Sequence, residues 1–165
     1  MPYVTAILLL LLLSFPAASA EIPKGAHLLL RMDNSISTRT AQEAADRAGC
    51  SLGQITKSMI FKGKNSSKPI LVLTSGANRV NEKLISTYSG EPIVRADADF
   101  VRTVTGFAIG GVPPLGHSQP METFVDEDLL QYPTIWAAAG TPNAIFELTP
   151  GALLELTAGH VAKIK

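Results

Sequence analysis

Cysteine is almost missing from this chain. Cys50 is the only one among 165 residues, so no intramolecular disulfide can form. It follows Gly49 where a helix is expected to end, with no histidine near it in sequence. It is therefore taken as a small packed residue rather than a nucleophile. Histidine is also scarce: His27, His117 and His160 lie far apart without metal-ligand spacing, which argues against a zinc site of the metallohydrolase kind. Net charge is absent, with Lys+Arg and Asp+Glu both at 14, which excludes a protein that wraps long nucleic acid by electrostatics alone. Charged residues are only 17% against 46% hydrophobic, a balance that excludes a disordered chain and suits one domain with a real core. There is no internal repeat and no P-loop, and the glycines from Gly106 to Gly111 lack the GxGxxG spacing of a dinucleotide fold.

What is present is uneven. Residues 1–20 form a signal-like apolar leader, with a leucine run and then Ala18-Ser19-Ala20 in the small-residue pattern of a signal-peptidase site. The apolar stretch is short for a membrane span, and no Lys or Arg precedes it. The leader is open to three readings: a cleaved export signal, a replacement for a first helix, or a start-site artefact. The domain proper is expected over residues 26–165. Lys57, Lys62, Lys64, Lys68, Arg79 and Lys83 fall close together, whereas after Thr103 the only basic residues are Lys163 and Lys165. The first group is either a phosphate-holding patch or a solvated face.

Coarse structure follows from periodicity and punctuation. A strand is expected over 26–32, and a helix capped by Ser37 or Thr38 and running to about Ala48, where Gly49 stops it. Strands over 58–62 and 70–74 flank a polar, glycine-containing turn and form a hairpin. Helices are expected over 80–88 and 98–104, the second capped by Asp97. Short strands follow near 122–125, 134–139 and 144–148, then a helix opened by Thr149-Pro150, then a strand over 160–164. Short strands mixed with short helices make the fold class α+β in a single domain. Trp136 and Phe146 are expected in the core, while Phe107 and Ile109 suit either core or pocket.

The densest signal is Gly106-Phe-Ala-Ile-Gly110-Gly111-Val112-Pro113-Pro114-Leu-Gly-His117. Glycine permits positive φ and close approach, and proline fixes φ and removes a donor. The run is either a tight strand connection or a shaped loop with N–H groups exposed to an anion or a carbonyl oxygen. Together with Arg95-Ala-Asp-Ala-Asp-Phe-Val-Arg102 just before it, this run resembles the YbaK/ProX family of aminoacyl-tRNA editing domains. Further blocks stand in family order: Ser37-Thr-Arg-Thr-Ala-Gln-Glu-Ala-Ala45, Gln54-Ile-Thr-Lys-Ser-Met-Ile-Phe61, Val72-Leu-Thr-Ser-Gly-Ala-Asn-Arg-Val80, Phe124-Val-Asp-Glu-Asp-Leu-Leu130 and Ile135-Trp-Ala-Ala-Ala-Gly-Thr-Pro-Asn-Ala144.

The resemblance implies a mixed, barrel-like β-sheet with flanking short helices, like the domain associated with prolyl-tRNA synthetase. It implies a trans-editing deacylase that hydrolyses the ester of mischarged tRNA, tRNA(Pro) carrying cysteine or alanine, without a cofactor or metal. Lys57 is the family's functional lysine, and its charge would hold the terminal phosphate or orient the substrate. Gly110 and Gly111 would present amides to the oxyanion, Val112 joining them, and the spacing from Gly110 to Pro114 matches the family's active loop. Ser75, Asn78, Arg79, Val112, Pro114, His117 and Thr141 are the expected substrate contacts. Asn78 and Arg79 would meet a phosphate or ribose, or else cap the next helix. The implied partners are the aminoacyl-tRNA acceptor end, for which zero net charge still permits a brief contact, and prolyl-tRNA synthetase. The implied location is cytoplasmic, without stable membrane association once the leader is absent or cleaved. The leader itself points instead to an exported, periplasmic protein. Alternatives to the editing reading are a non-catalytic aminoacyl-tRNA or nucleotide-binding module and an exported protein of unrelated function on the same fold.

Overall fold

The computed structural model describes residues 29–32 and 40–165. The leader, the start of the first expected strand, and Ser37 and Thr38 lie outside the described residues. The chain order is β1 (Leu29–Met32), α1 (Ala41–Ala48), a 3-10 turn (Leu52–Gln54), β2 (Ile55–Gly63), β3 (Pro69–Ser75), α2 (Glu82–Ser89), β4 (Ile93–Arg95), α3 (Ala98–Thr105), β5 (Glu122–Asp126), a second 3-10 turn (Glu127–Gln131), β6 (Ile135–Ala138), β7 (Ala144–Leu148), α4 (Pro150–Thr157) and β8 (His160–Ala162). The α+β class and the mixed sheet are as expected.

The sheet runs β1-β7-β6-β2-β3-β5-β8, with β4 also on β2. β2 and β3 form the expected antiparallel hairpin, while β2–β6, β3–β5 and β5–β8 are parallel. β3 is the spine. Its Ile70, Leu71, Val72, Leu73, Thr74 and Ser75 are all buried, as befits a strand covered on both faces. One face packs with Val101 and Val104 of α3, Leu153 of α4 and Val112 of the glycine loop. The other gathers Phe61, Ile70, Val72, Phe124, Ile85 of α2, Ile93 and Ile164. A third cluster sets Ala44 and Ala45 of α1 against Ile55 and Trp136. Trp136 and Phe146 are core residues, as expected.

Local chemistry fixes the element ends. α1 begins at Ala41 because Thr40 caps it: the Thr40 hydroxyl accepts from the Glu43 N–H at 3.2 Å, and the Glu43 carboxylate accepts from the Thr40 N–H at 3.3 Å. This replaces the cap expected at Ser37 or Thr38. Gly49 ends α1 in the left-handed region at φ 67°. α2 starts later than expected because Asn81 caps it, accepting from Lys83 and Leu84. Asp97 caps α3 through the Phe100 N–H at 2.8 Å, as expected. β8 stops at Ala162, since the Ile164 carbonyl turns away to accept the Asn81 N–H at 2.8 Å. Neither β4 nor the second 3-10 turn was expected. No helix among the described residues is long and apolar enough to cross a membrane.

Candidate active site

Lys57 lies near the start of β2, opposite Thr74 of β3. Strand alternation puts it in step with Met59 and Phe61, on the face that carries Phe124 and Ile85. Just beyond β3 the chain makes a tight turn in which the Asn78 N–H donates to the Ser75 carbonyl at 3.0 Å. The turn lies hard against the first 3-10 turn. A Cβ on Gly76 would stand 2.3 Å from the Leu52 carbonyl oxygen, so only glycine fits. Two carbonyls of this turn receive the lysine: Nζ donates to Gly76 O at 3.1 Å and to Asn78 O at 2.7 Å. An ammonium has three donors, so one remains for a ligand. Burial pulls the Lys57 pKa below its ordinary value, the Asp126 charge works against that pull, and Arg79 adds to it.

Beneath the cradle lies a buried carboxylate. Asp126 is 1% exposed. Its Oδ2 accepts from the Thr74 hydroxyl at 3.1 Å, the Ser75 N–H at 3.0 Å and the Asn78 amide at 2.8 Å. Its Oδ1 accepts from the Asp128 N–H at 3.1 Å. The Asn78 amide donates a second bond, to Asp128 at 2.8 Å, and Lys165 reaches both Asp128 and the Asn78 side-chain oxygen. That pairing holds Asp128 below and Lys165 above their ordinary ranges, the hydrogen bond between them being the first cause in each case.

The glycine loop makes a second group. Gly110 sits at φ 89° with open space where a Cβ would be. Gly111 rests on the β6–β7 turn, where a Cβ would fall 2.8 Å from the Thr141 carbonyl carbon. The Gly111 N–H donates to Ala108 O at 3.0 Å. His117 Nε2 donates to the Pro113 carbonyl at 2.8 Å, and its ring meets Phe107 edge-on at 6.4 Å between centroids. Burial lowers the His117 pKa, and the Pro113 bond opposes this. Pro114 is buried, Thr141 is exposed and Ile109 is 60% exposed.

The expected site residues thus fall into two groups. Lys57, Ser75, Asn78 and Arg79 are together at the β2–β3 end. Gly110, Gly111, Val112, Pro114, His117 and Thr141 are together on the loop. The groups lie near the same end of the sheet but on opposite faces: Lys57 is in step with Met59 and Phe61, whereas Thr56 beside it pairs with Ala137 of β6, on whose following turn the glycine loop rests. Among the described residues no hydrogen bond or ion pair joins them. Four expectations need correction. The Gly111 amide is engaged within its own turn and is not a free oxyanion donor. The Val112 side chain is core, leaving only its backbone for a ligand. Ser75 donates its hydroxyl to the Gly53 carbonyl at 2.8 Å and is buried. The Asn78 side chain is spent on two aspartates and a lysine rather than on a phosphate or ribose, and it is the Asn78 backbone carbonyl that meets Lys57. Asp126, Asp128 and Lys165 were missed as site residues. The only signal was the acidic run Asp126-Glu127-Asp128 at the end of a strand, which in sequence looks like any solvated turn.

The fold and site define a single-domain α+β protein that presents a fixed ammonium and a shaped backbone loop. Residues 36–156 match the model of the aminoacyl-tRNA editing domain. YwhH of Bacillus subtilis is 32% identical over 114 residues, which span 69% of this chain and 72% of YwhH. EbsC of Enterococcus faecalis, named as a candidate Cys-tRNA(Pro)/Cys-tRNA(Cys) deacylase, is 29% identical over 126 residues, 76% of each chain. A solved structure of a candidate trans-editing enzyme for prolyl tRNA synthetase superposes with TM-score 0.77 at 46% identity, over 85% of this chain and 86% of that one. The chain belongs to the aminoacyl-tRNA editing domain family. It is an aminoacyl-tRNA deacylase, a hydrolase of the ester that joins an amino acid to tRNA.

Proposed function

We propose that the chain acts in trans, in the cytoplasm, on tRNA(Pro) mischarged with a small amino acid, cysteine or alanine, and that prolyl-tRNA synthetase is its working partner. The names of EbsC and of the trans-editing structure support the tRNA and the partner. The observation that carries the site is the Lys57 ammonium, fixed by two carbonyls with one donor left over. Arg79 is exposed, and its charge is felt at Lys57. The two cations suit the phosphate and ribose of the terminal adenosine. The substrate would then bend round the end of the sheet for its aminoacyl group to meet the glycine loop, with the Gly110 and Val112 amides as donors to the ester oxygen. In the reaction a water oxygen bonds to the ester carbon and the bond to the ribose oxygen breaks. That oxygen takes up one of the water's protons, the other passes to solvent, and the free amino acid leaves as a carboxylate. A preorganised amide aimed at the oxyanion contributes roughly 3 kcal/mol to such a step.

The test is deacylation by the purified chain of tRNA(Pro) charged separately with Cys, Ala, Ser and Pro. Loss of the Cys or Ala ester with Pro spared is expected. Discrimination between those two esters should be modest, because a small change in side chain is worth about 1–3 kcal/mol in a pocket. Lys57→Ala should lower kcat/KM by roughly 100-fold while the far-UV spectrum stays native. A folded Lys57→Ala protein with wild-type activity would remove Lys57 from the site.

A further inference from the structure

We propose that Asp126 is a positioning residue for Lys57, holding the turn whose carbonyls grip the ammonium and facing it with a compensating charge. This rests on the reading of Lys57 as the substrate-binding cation. A carboxylate that is 1% exposed is costly to bury and is normally paired with a cation. Among the described residues Asp126 has no ion pair. Its partners are instead four donors, from Thr74, Ser75, Asn78 and Asp128. Three of these four lie on the end of β3 and the turn after it. The Ser75 hydroxyl on Gly53 O and the Gly76 N–H on Ile55 O hold one side of the turn, and Asp126 spans it from Ser75 to Asn78.

Asp126 therefore acts on Lys57 in two ways. Mechanically, it pins Ser75 and Asn78, the residues that flank Gly76. This aims Gly76 O and Asn78 O at Nζ. Of the common side chains only a carboxylate can do this, because four N–H or O–H donors need an acceptor at both oxygens, and an amide would turn a donor towards one of them. Electrostatically, the charged groups around the turn among the described residues are Asp126 at the end of β5, Glu127 and Asp128 in the second 3-10 turn, Arg79 after β3, and Lys163 and Lys165 after β8. Asp128 is already paired with Lys165. Asp126 is the carboxylate whose charge opposes the loss of the Lys57 proton.

The experiment follows the ε-carbon and ammonium resonances of Lys57 through a pH titration of the isotopically labelled full chain, beside kcat/KM for deacylation measured against pH. In Asp126→Asn the Lys57 midpoint should move to lower pH than in the wild type. The alkaline limb of the kcat/KM profile should move with it, and the plateau should drop by about 10- to 100-fold. Asn78→Ala cuts the mechanical link and keeps the charge, so it should lower the plateau while leaving the midpoint near the wild-type value. The double variant should be no worse than the poorer single one, as expected when two residues act along one path. A folded Asp126→Asn protein with an unmoved midpoint and wild-type kcat/KM overturns the proposal. Should Asp126→Asn fail to fold, Asn78→Ala with kcat/KM within about twofold of wild type overturns it instead. If the wild type cleaves no charged tRNA, the editing specificity has failed, yet the titration still decides whether Asp126 sets the state of Lys57.

Discussion

The Pro113 carbonyl can only accept, so His117 carries a proton on Nε2 and, when neutral, leaves Nδ1 free as an acceptor. Burial lowers the folded-state pKa below the usual imidazole value of about 6.5. The unfolded chain therefore takes up this proton at a higher pH than the folded one. The sign follows: folding stability is lost as pH falls from about 6.5 through the lowered folded value. Thermal unfolding between about pH 7.5 and pH 5 should show this loss in the wild type and a flatter dependence in His117→Gln. Equal slopes would mean that the ring is not held neutral by the loop. Single residues differ in how legible they are in sequence. His117 could be picked out because it closes the glycine loop, whereas Lys57 alone reads as a surface lysine and stood out only through the family resemblance of the block from Gln54 to Phe61. Asp126 could not be picked out, because its meaning comes from burial and from four donors, three of them 48 to 52 residues away in sequence on the end of β3 and the turn after it.

At the scale of elements, adjacent glycines of one loop do different work. Gly111 is needed for contact, since a Cβ would stand 2.8 Å from the Thr141 carbonyl carbon and 2.9 Å from its Cα, both backbone atoms of the β6–β7 turn. Gly110 is needed for conformation, with φ at 89° and nothing near the missing Cβ. Gly111→Ala should push loop and turn apart and cost about 1–3 kcal/mol, as overpacking does. Gly110→Ala should cost about 1–2 kcal/mol from backbone strain without moving the β6–β7 turn. Urea unfolding gives both costs, and amide shifts of Ala139 to Ala144 separate them, since only Gly111→Ala should move these residues far. A Gly110→Ala protein with the larger shifts would reverse the assignment. Caps and punctuation made most elements readable beforehand: Asp97, Gly49 and Thr149-Pro150 end or start helices where they stand. β4 escaped notice because three residues paired only to the far end of β2 carry no period of their own. The second 3-10 turn escaped because its acidic residues look like a loop until Leu129 is seen buried at 0% exposure. The start of α1 was misplaced because several hydroxyl residues precede it, and only the reciprocal bond with Glu43 selects Thr40.

For the whole molecule, the question is what couples the face carrying Lys57 to the remainder of the fold. The sheet supplies one link through β3, and the C-terminal segment supplies another. Ile164 is fully buried beside Phe61, Ile70, Val72, Ile85, Ile93 and Phe124, so it joins β2, β3, β4, β5 and α2 in one cluster. Its carbonyl takes the N–H of Asn81, the residue that caps α2. The next residue, Lys165, reaches Asp128 and Asn78 beside the lysine cradle. Burying this side chain is thus also what delivers the segment to the site. Ile164→Ala should leave a cavity in the middle of that cluster and cost about 2–5 kcal/mol. Lys165→Ala removes an ion pair with an exposed lysine and a long bond to the Asn78 side-chain oxygen, so its urea midpoint should stay much closer to that of the wild type than Ile164→Ala does. Ile164→Ala should also lose deacylation before it loses its overall fold, because α2 and the Asn78 turn are the parts released first. Hydrogen exchange checks the order: protection should fall in 78–89 while 70–73 stays protected. Uniform loss across the sheet would show instead that the cluster stabilises the domain as a single cooperative unit, with no separate hold on the site.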